Sequence, residues 1–411
     1  MTSRPGTTSD VAGMTMVTAG TMTANVASYV LALAAAGWLG PAGYGEFAAL
    51  TAAQLVLAVP ALALQTVVAR DVVLGGDAAA LRRLGVRCAA IVAILAALLV
   101  APIAAVLGTG VAPTAAALLT APMLVLLAGE QGLLQGTGRF AALSVVLGAA
   151  GLGKVLPAVA VLAPGGGPGA ALTASALGTG AVAVGARVLA GPHRGAQPAY
   201  DGVASVLRAS QVQLALIVLS SVDVLLARVV LDEEQAGQYS LGAVATKVAF
   251  WLPAAVGVVL YPRMANPAHS ARAVRSALGV LVGIGAVTVA AAAVAAPLVP
   301  VLVGEDYRPV QGLLWAFAAN GACLAVLQGA LLSAIAREHT RLAIGAWVGL
   351  AVEVVLILEV ASTMQQLIAV AATTTAVTAA VVSVLTLRGA DRDPAVSTLP
   401  TVREGPPGHP D

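Results

Sequence analysis

Long apolar stretches alternate with short polar connections along almost the whole chain. Most stretches reach about 20 residues, the length that an α-helix needs to cross a lipid bilayer. Gly and Pro clusters, which favour turns, separate several of them, as at 164–169. The pattern predicts twelve membrane-spanning helices, at 12–39, 46–69, 86–108, 114–135, 140–163, 169–190, 207–231, 239–261, 277–303, 311–335, 342–360 and 366–387.

The composition supports a membrane protein and excludes several other classes. The 411 residues are 59% hydrophobic and 10% charged, and the mean hydropathy is +0.94, whereas soluble domains carry about 25% charged residues. The net charge of +2 is too small to indicate a nucleic-acid partner. Cys88 and Cys323 lie in apolar stretches, and the four histidines lie in predicted loops or the tail. We therefore expect no metal site, cofactor or catalytic residue.

The distribution of positive charge predicts an orientation. When the twelve spans are threaded with the N-terminus inside, most of the 21 Lys and Arg residues fall on the inner side. Cytoplasmic loops retain Lys and Arg, so both termini are predicted to be cytoplasmic, in a bacterial inner membrane. The chain's two lysines, Lys154 and Lys247, fit neither side because both lie inside predicted spans.

The two halves of the sequence echo each other. The segment 45–48 (GEFA) is followed 192 residues later by 237–240 (GQYS), and two other pairs of segments have nearly the same offset. An even number of spans per repeat gives both halves the same orientation. The predicted fold is all-α, with a six-helix bundle at 1–200, a second at 201–388 and a central cavity, followed by a disordered cytoplasmic tail at 389–411. Chance similarity in an Ala- and Val-rich chain is the alternative.

Three motifs carry a family resemblance. The segment 38–50 (WLGPAGYGEFAAL) resembles the LGP-x-x-YG-x-F turn of bacterial polysaccharide exporters. The segments 223–227, 236–240 and 260–263 together resemble the second-half signature of that family, and 132–140 resembles the end of its fourth helix. These proteins are lipid-linked oligosaccharide flippases of the multidrug/oligosaccharidyl-lipid/polysaccharide exporter superfamily. The similarity extends over most of the chain.

The resemblance implies two six-helix bundles that face each other across a cavity. It also implies a flippase that moves a polyprenyl-pyrophosphate-linked glycan across the cytoplasmic membrane by alternating access, in cell-surface polysaccharide biosynthesis. Membrane lipid and a coupling cation or proton would be the other partners. A multidrug or organic-cation antiporter of the same superfamily is the alternative, although only 3% of residues are aromatic. A glycan polymerase or ligase would need a larger outer loop, so we expect no enzyme.

Ionisable residues inside spans are the candidate site, because they are costly in a membrane unless they face a cavity or a partner. Lys247 and Asp223 are at similar depth on adjacent predicted helices, so an ion pair between them is plausible. Lys154 and Glu353 occupy corresponding positions of the repeat. Both lysines are predicted to bind the anionic head group of a substrate, since lysine is a compact phosphate-binding cation. A structural ion pair is the alternative for each.

The remaining candidates are acidic or uncharged polar residues within spans. Asp223, Glu353 and Glu130 are predicted to carry a coupling proton or cation, or to form ion pairs. Asn25 and Gln54 are predicted to bind sugar hydroxyl groups, which match amide donors and acceptors. Helix-to-helix hydrogen bonding is the alternative for these two residues.

Aromatic residues map near the predicted outer ends of several spans. Tyr and Trp are enriched where membrane meets water, because their rings are apolar and their tips are polar. The sequence therefore predicts that a belt anchors the protein at the outer interface, formed by Trp38, Trp315, Tyr44, Tyr239 and Tyr307.

Overall fold

The computed structural model describes residues 7–192, 202–264, 270–335 and 343–392, and these residues are almost entirely helical. The four histidines lie outside the described ranges. So does the predicted tail, except that residues 389–392 belong to the last helix.

The first half of the chain forms seven helices within the described residues. They are α1 (Thr7–Leu57), α2 (Val59–Val73), α3 (Ala78–Leu107), α4 (Val111–Leu118), α5 (Thr120–Gly136), α6 (Phe140–Leu162) and α7 (Pro168–Ala190). Asp77 starts α3 because its carboxylate accepts a hydrogen bond from the Ala80 amide, 3.1 Å away. A cap of this kind satisfies one of the amides that a helix N-terminus leaves without a partner.

The second half adds nine α-helices and a short 3₁₀ helix at Glu305–Tyr307 in the described ranges. The α-helices are α8 (Val203–Leu219), α9 (Val222–Val230), α10 (Glu233–Met264), α11 (Ser270–Ala295), α12 (Leu298–Val303), α13 (Arg308–Gln311), α14 (Leu314–Ile335), α15 (Ala343–Val360) and α16 (Met364–Arg392).

A kink divides α1 into two consecutive helical segments. Gly40 has φ 67° and ψ 176°, a conformation that residues with a Cβ rarely adopt, and Pro41 follows it. The kink falls between two of the predicted spans, 12–39 and 46–69.

The described residues contain nine helical stretches that are long and apolar enough to cross a membrane. The first of them, Thr15–Val73, is 59 residues long and runs through the kink at Gly40, so it covers two predicted spans. The predicted all-α, multi-pass class is confirmed. The count of twelve spans and the division into two bundles remain predictions.

A hydrophobic core at one end of the molecule is shared by both halves of the chain. Leu31, Tyr44 and Phe47 of α1 pack there with Tyr239 of α10 and with Tyr307. The Tyr307 hydroxyl donates a hydrogen bond to the Ala36 carbonyl at 3.2 Å. The rings of Tyr44 and Tyr307 meet edge to face, with 6.5 Å between their centroids. We call this region the contact end.

Two glycines allow the helices to approach closely at the contact end. A Cβ atom on Gly45 would lie 3.0 Å from the Gly237 backbone nitrogen, and one on Gly237 would collide with the Pro41 carbonyl. Gly45 and Gly237 are equivalent residues of the predicted repeat. Equivalent residues meet where a two-fold axis passes between them, so the contact agrees with that repeat.

Away from the contact end, the halves mainly have separate cores. One core is formed by α2, α3 and α5, and from α8 only Val206 and the partly buried Val203 pack in it. Another core is formed by α8, α9, α10, α11 and α14 to α16. The two halves are therefore joined most extensively at the contact end.

Candidate functional site

Both lysines of the chain line one pocket beside the contact end. Lys154 comes from the middle of α6 and Lys247 from α10, so the two halves of the chain contribute one lysine each. We call this the lysine pocket. It has a volume of about 130 Å³. Its other lining side chains include three aromatic residues, Tyr29, Tyr44 and Phe47, and three Ser or Thr residues, Ser28, Thr51 and Ser240.

The lining of the lysine pocket contains two basic residues and no acidic residue. The two lysines are close enough for their charges to act on each other, and Asp223, outside the lining, acts on Lys247. Within the described residues neither ammonium group forms an ion pair. Two like charges in a poorly solvated pocket repel, and an anion placed between them would remove that repulsion.

The predicted ion pair between Lys247 and Asp223 is wrong as a direct contact. The two Asp223 carboxylate oxygens instead accept hydrogen bonds from the Tyr239 hydroxyl and from the Val224 amide, each at 2.8 Å. These donors hold the carboxylate, and its charge also acts on Lys247. Among the described residues Lys247 has no ion-pair partner within 4 Å.

A buried acidic cluster lies behind the lysine pocket. Asp223, Tyr239 and Glu353 are close enough to interact electrostatically. Glu353 is fully buried, and neither of its carboxylate oxygens has a hydrogen-bond partner in the part of the chain that the structure describes. Burial of an unpartnered carboxylate is costly. A proton or small cation bound to Glu353 would remove that cost.

Glu130 belongs to a different site, away from the lysine pocket. It accepts hydrogen bonds from Arg82, with Nη2 2.8 Å from Oε2 and Nε 2.9 Å from Oε1. Arg187 lies 3.4 Å from the same carboxylate. Of the two interpretations made from the sequence, the structure places Glu130 in an ion pair.

Asn25 and Gln54 are not among the residues that line the lysine pocket, and their binding to sugar hydroxyl groups stays a prediction. Asn25 lies one helical turn before Ser28, and Gln54 lies one turn after Thr51; both reference residues line the pocket. Gln54 is buried, with 3% of its surface exposed. Sequence periodicity does not distinguish two residues that lie one helical turn apart on the same face of a helix.

The predicted aromatic belt is wrong for its three tyrosines. Tyr44, Tyr239 and Tyr307 are at most 2% exposed and pack inside the contact end. Trp38 and Trp315 are about half exposed, as a belt would require. For Tyr44 and Tyr239 the repeat is a sequence signal that could have indicated burial, because each lies within two residues of one of the equivalent glycines.

No protein-family model matches the sequence, and no curated protein matches it. Several solved structures have a similar fold. An inward-facing multidrug resistance MATE family transporter of the MOP superfamily superposes with a TM-score of 0.68 at 14% identity, covering 92% of this chain and 96% of its own. The Vibrio cholerae MATE transporter VcmN in its bent form gives 0.55 at 15% identity, covering 94% and 99%.

A third similar structure is a MOP superfamily transporter from Pyrococcus furiosus. Its TM-score is 0.55 at 13% identity, covering 93% of this chain and 96% of the other. The reverse polarity of its binding pocket is described as suggesting a different function. Identities this low establish the fold alone. The chain therefore has the fold of transporters of the MOP superfamily, to which the MATE family belongs.

Proposed function

We propose that this protein is a membrane transporter whose substrate carries a negatively charged group, and that the lysine pocket binds this group. The observation that carries the proposal is the position of Lys154 and Lys247 in one pocket without an acidic residue in its lining. Because the lysines belong to opposite halves, an anion bound between them contacts both. Relative movement of the halves would then change the distance between the two lysines, and with it the binding site, as alternating access requires.

The size of the lysine pocket limits what it holds in this conformation. Its volume of about 130 Å³ is below the roughly 300–1,000 Å³ of typical ligand pockets. A phosphate-sized group fits the available space better than a sugar chain. The polyprenyl-pyrophosphate-linked glycan implied by the sequence resemblance would place its pyrophosphate here and its sugars elsewhere. That substrate rests on the resemblance and on the charge of the pocket.

Multidrug export is the second candidate, and the similar structures favour it over glycan-lipid flipping. One of them is described as a multidrug resistance MATE family transporter. The charge of the pocket argues against the organic cations that an acidic site would select, since the acids Asp223 and Glu353 do not line it. The Pyrococcus furiosus transporter gives a precedent for reversed pocket polarity on this fold.

We propose that the protein lies in a bacterial cytoplasmic membrane with both termini inside, and a comparison of conformations supports this orientation of the termini. With both termini in the cytoplasm, as the charge distribution predicts, the contact end faces outward. A protein closed at that end is inward-facing. The inward-facing similar structure gives a TM-score of 0.68, whereas an outward-facing transporter of the same description gives 0.56.

We assign the coupling ion to Glu353, with Asp223 beside it. Glu353 is buried without a hydrogen-bond partner among the described residues. The charge of Asp223 acts on both Glu353 and Lys247. Proton or cation binding at Glu353 would therefore change the electrostatic environment of the substrate pocket.

Transport in proteoliposomes tests the proposed function. The purified protein is reconstituted and offered fluorescent amphiphiles with the same apolar part, one with a phosphate group and one with a quaternary ammonium group. We expect transport of the phosphate compound to exceed that of the ammonium compound by roughly tenfold or more, since like-charge juxtaposition costs several kcal/mol. Faster transport of the cation would contradict the anionic site and favour the multidrug alternative.

A further inference from the structure

A second, larger cavity lies between α3, α5 and α7, and it shares no lining residue with the lysine pocket. Its volume is about 740 Å³. α3 and α7 both pack on α5, which forms the floor of the cleft between them. Gly129 and Gly180 widen the cleft because they have no side chains. We call it the arginine cleft.

One end of the arginine cleft is strongly positive and the other is apolar. Four arginines and one acid line the charged end, namely Arg82, Arg83, Arg87, Arg187 and Glu130. Met123 and Leu126 of α5 line the apolar part, together with Val184, which is 66% exposed. From Glu130 to Met123 the floor runs for seven residues, or about 10 Å at the helical rise of 1.5 Å per residue.

The positive charge exceeds what the protein itself neutralises. Glu130 is occupied by Arg82, which also donates to the Gly191 carbonyl at 2.8 Å. Arg83 and Arg87 are exposed and have no partner among the described residues. Arg187 contacts Glu130 at 3.4 Å, but 62% of its side chain is exposed. The cleft therefore presents free guanidinium groups beside an apolar channel.

The charged end lies at the depth of lipid head groups. α3 has 30 residues, which gives a length of about 45 Å at 1.5 Å per residue. The hydrocarbon core of a bilayer is only about 30 Å thick. About ten residues of α3 therefore extend beyond the hydrocarbon core. We place the first part of α3, from Ala78 to Arg87, in this extension. The apolar part of the cleft then lies within the hydrocarbon layer.

We propose that the arginine cleft binds an anionic phospholipid. Its phosphate contacts Arg83, Arg87 and Arg187, and an acyl chain lies along α5 between Met123 and Val184. Guanidinium groups suit phosphate because they donate two parallel hydrogen bonds. Basic pockets between membrane helices on the cytoplasmic side recognise anionic head groups in this way. This site is independent of the proposed transport function.

Native mass spectrometry of the full chain in neutral detergent tests the proposal. Phosphatidylglycerol and phosphatidylcholine with the same acyl chains are titrated separately. We expect phosphatidylglycerol to be retained, and the double variant Arg83→Gln/Arg87→Gln to bind it roughly tenfold more weakly or worse. Arg388→Gln removes one exposed charge from α16 and is the control that should bind like the wild type.

A second variant keeps the arginines and fills the apolar channel. A Cβ on Gly180 would lie 3.8 Å from the Met123 sulfur, an ordinary contact, so Gly180→Leu should fold and still block the acyl chain. We expect it to lose phosphatidylglycerol although its charge is unchanged. Equal retention of both lipids, or full binding by both variants, would overturn the proposal. Displacement of phosphatidylglycerol by inorganic phosphate or by a pyrophosphate-linked glycan would assign the cleft to that ligand instead.

Discussion

Replacement of Lys247 by Gln should abolish transport of an anionic substrate while the protein still folds and reaches the membrane. Removal of one partner of a buried charge pair costs about 2–5 kcal/mol, so substrate affinity should fall roughly 30-fold or more. Lys154→Gln should act in the same direction, because both lysines line the same pocket. Initial rates in proteoliposomes measure the effect.

The matched control for Lys247→Gln is Arg308→Gln. Arg308 pairs with Glu305 at 2.7 Å, but both side chains are about 70% exposed. An exposed pair contributes about 0–1 kcal/mol, so this variant should transport normally. Lys247→Arg keeps the charge and should retain part of the activity. Wild-type transport by Lys247→Gln, at equal protein level, would show that the pocket does not bind the substrate charge.

The substitution Gly237→Leu should open the contact end. A Cβ atom at this position already collides with the Pro41 backbone, and backbone cannot rotate away as a flexible side chain can. We therefore expect the two halves to separate there, with loss of transport. Spin labels at Trp38 and Trp315, in a Cys88→Ser/Cys323→Ser background, would report a longer distance across this end.

Gly279→Leu is the control for the glycine substitution. Gly279 lies in α11, and nothing is within 4 Å of a Cβ built on it. Both variants add the same side chain to a helical glycine, so only the site differs. An unchanged spin-label distance in Gly237→Leu would mean that the glycine contact does not determine which end is closed.

Charge counting located the lysines because an isolated cation in an apolar span is a strong signal. Lys154 and Lys247 are the residues that fitted neither membrane side, and the structure brings them into one pocket. The lack of a direct ion pair between Lys247 and Asp223 was not predictable in the same way. Depth along two helices does not reveal that Asp223 accepts its hydrogen bonds from the Tyr239 hydroxyl and the Val224 amide.

The contact end was only partly predictable from the sequence. Gly45 and Gly237 are visible as repeat equivalents, and the structure adds that they touch each other. The sequence predicts that Tyr44 and Tyr307 lie at the membrane interface, because amphipathic rings near helix ends usually lie there. Their burial depends on the approach of two distant parts of the chain, which local patterns do not encode.

The central claim is that Lys154 and Lys247 bind the charged group of the substrate, and amine labelling tests it most directly. The chain has only these two lysines, so an amine-reactive reagent followed by mass spectrometry reports on each one without ambiguity. We predict that a phosphate-bearing amphiphile at saturating concentration protects both lysines together, whereas its quaternary ammonium analogue protects neither. Unchanged labelling of both lysines while the phosphate compound is being transported would contradict the claim.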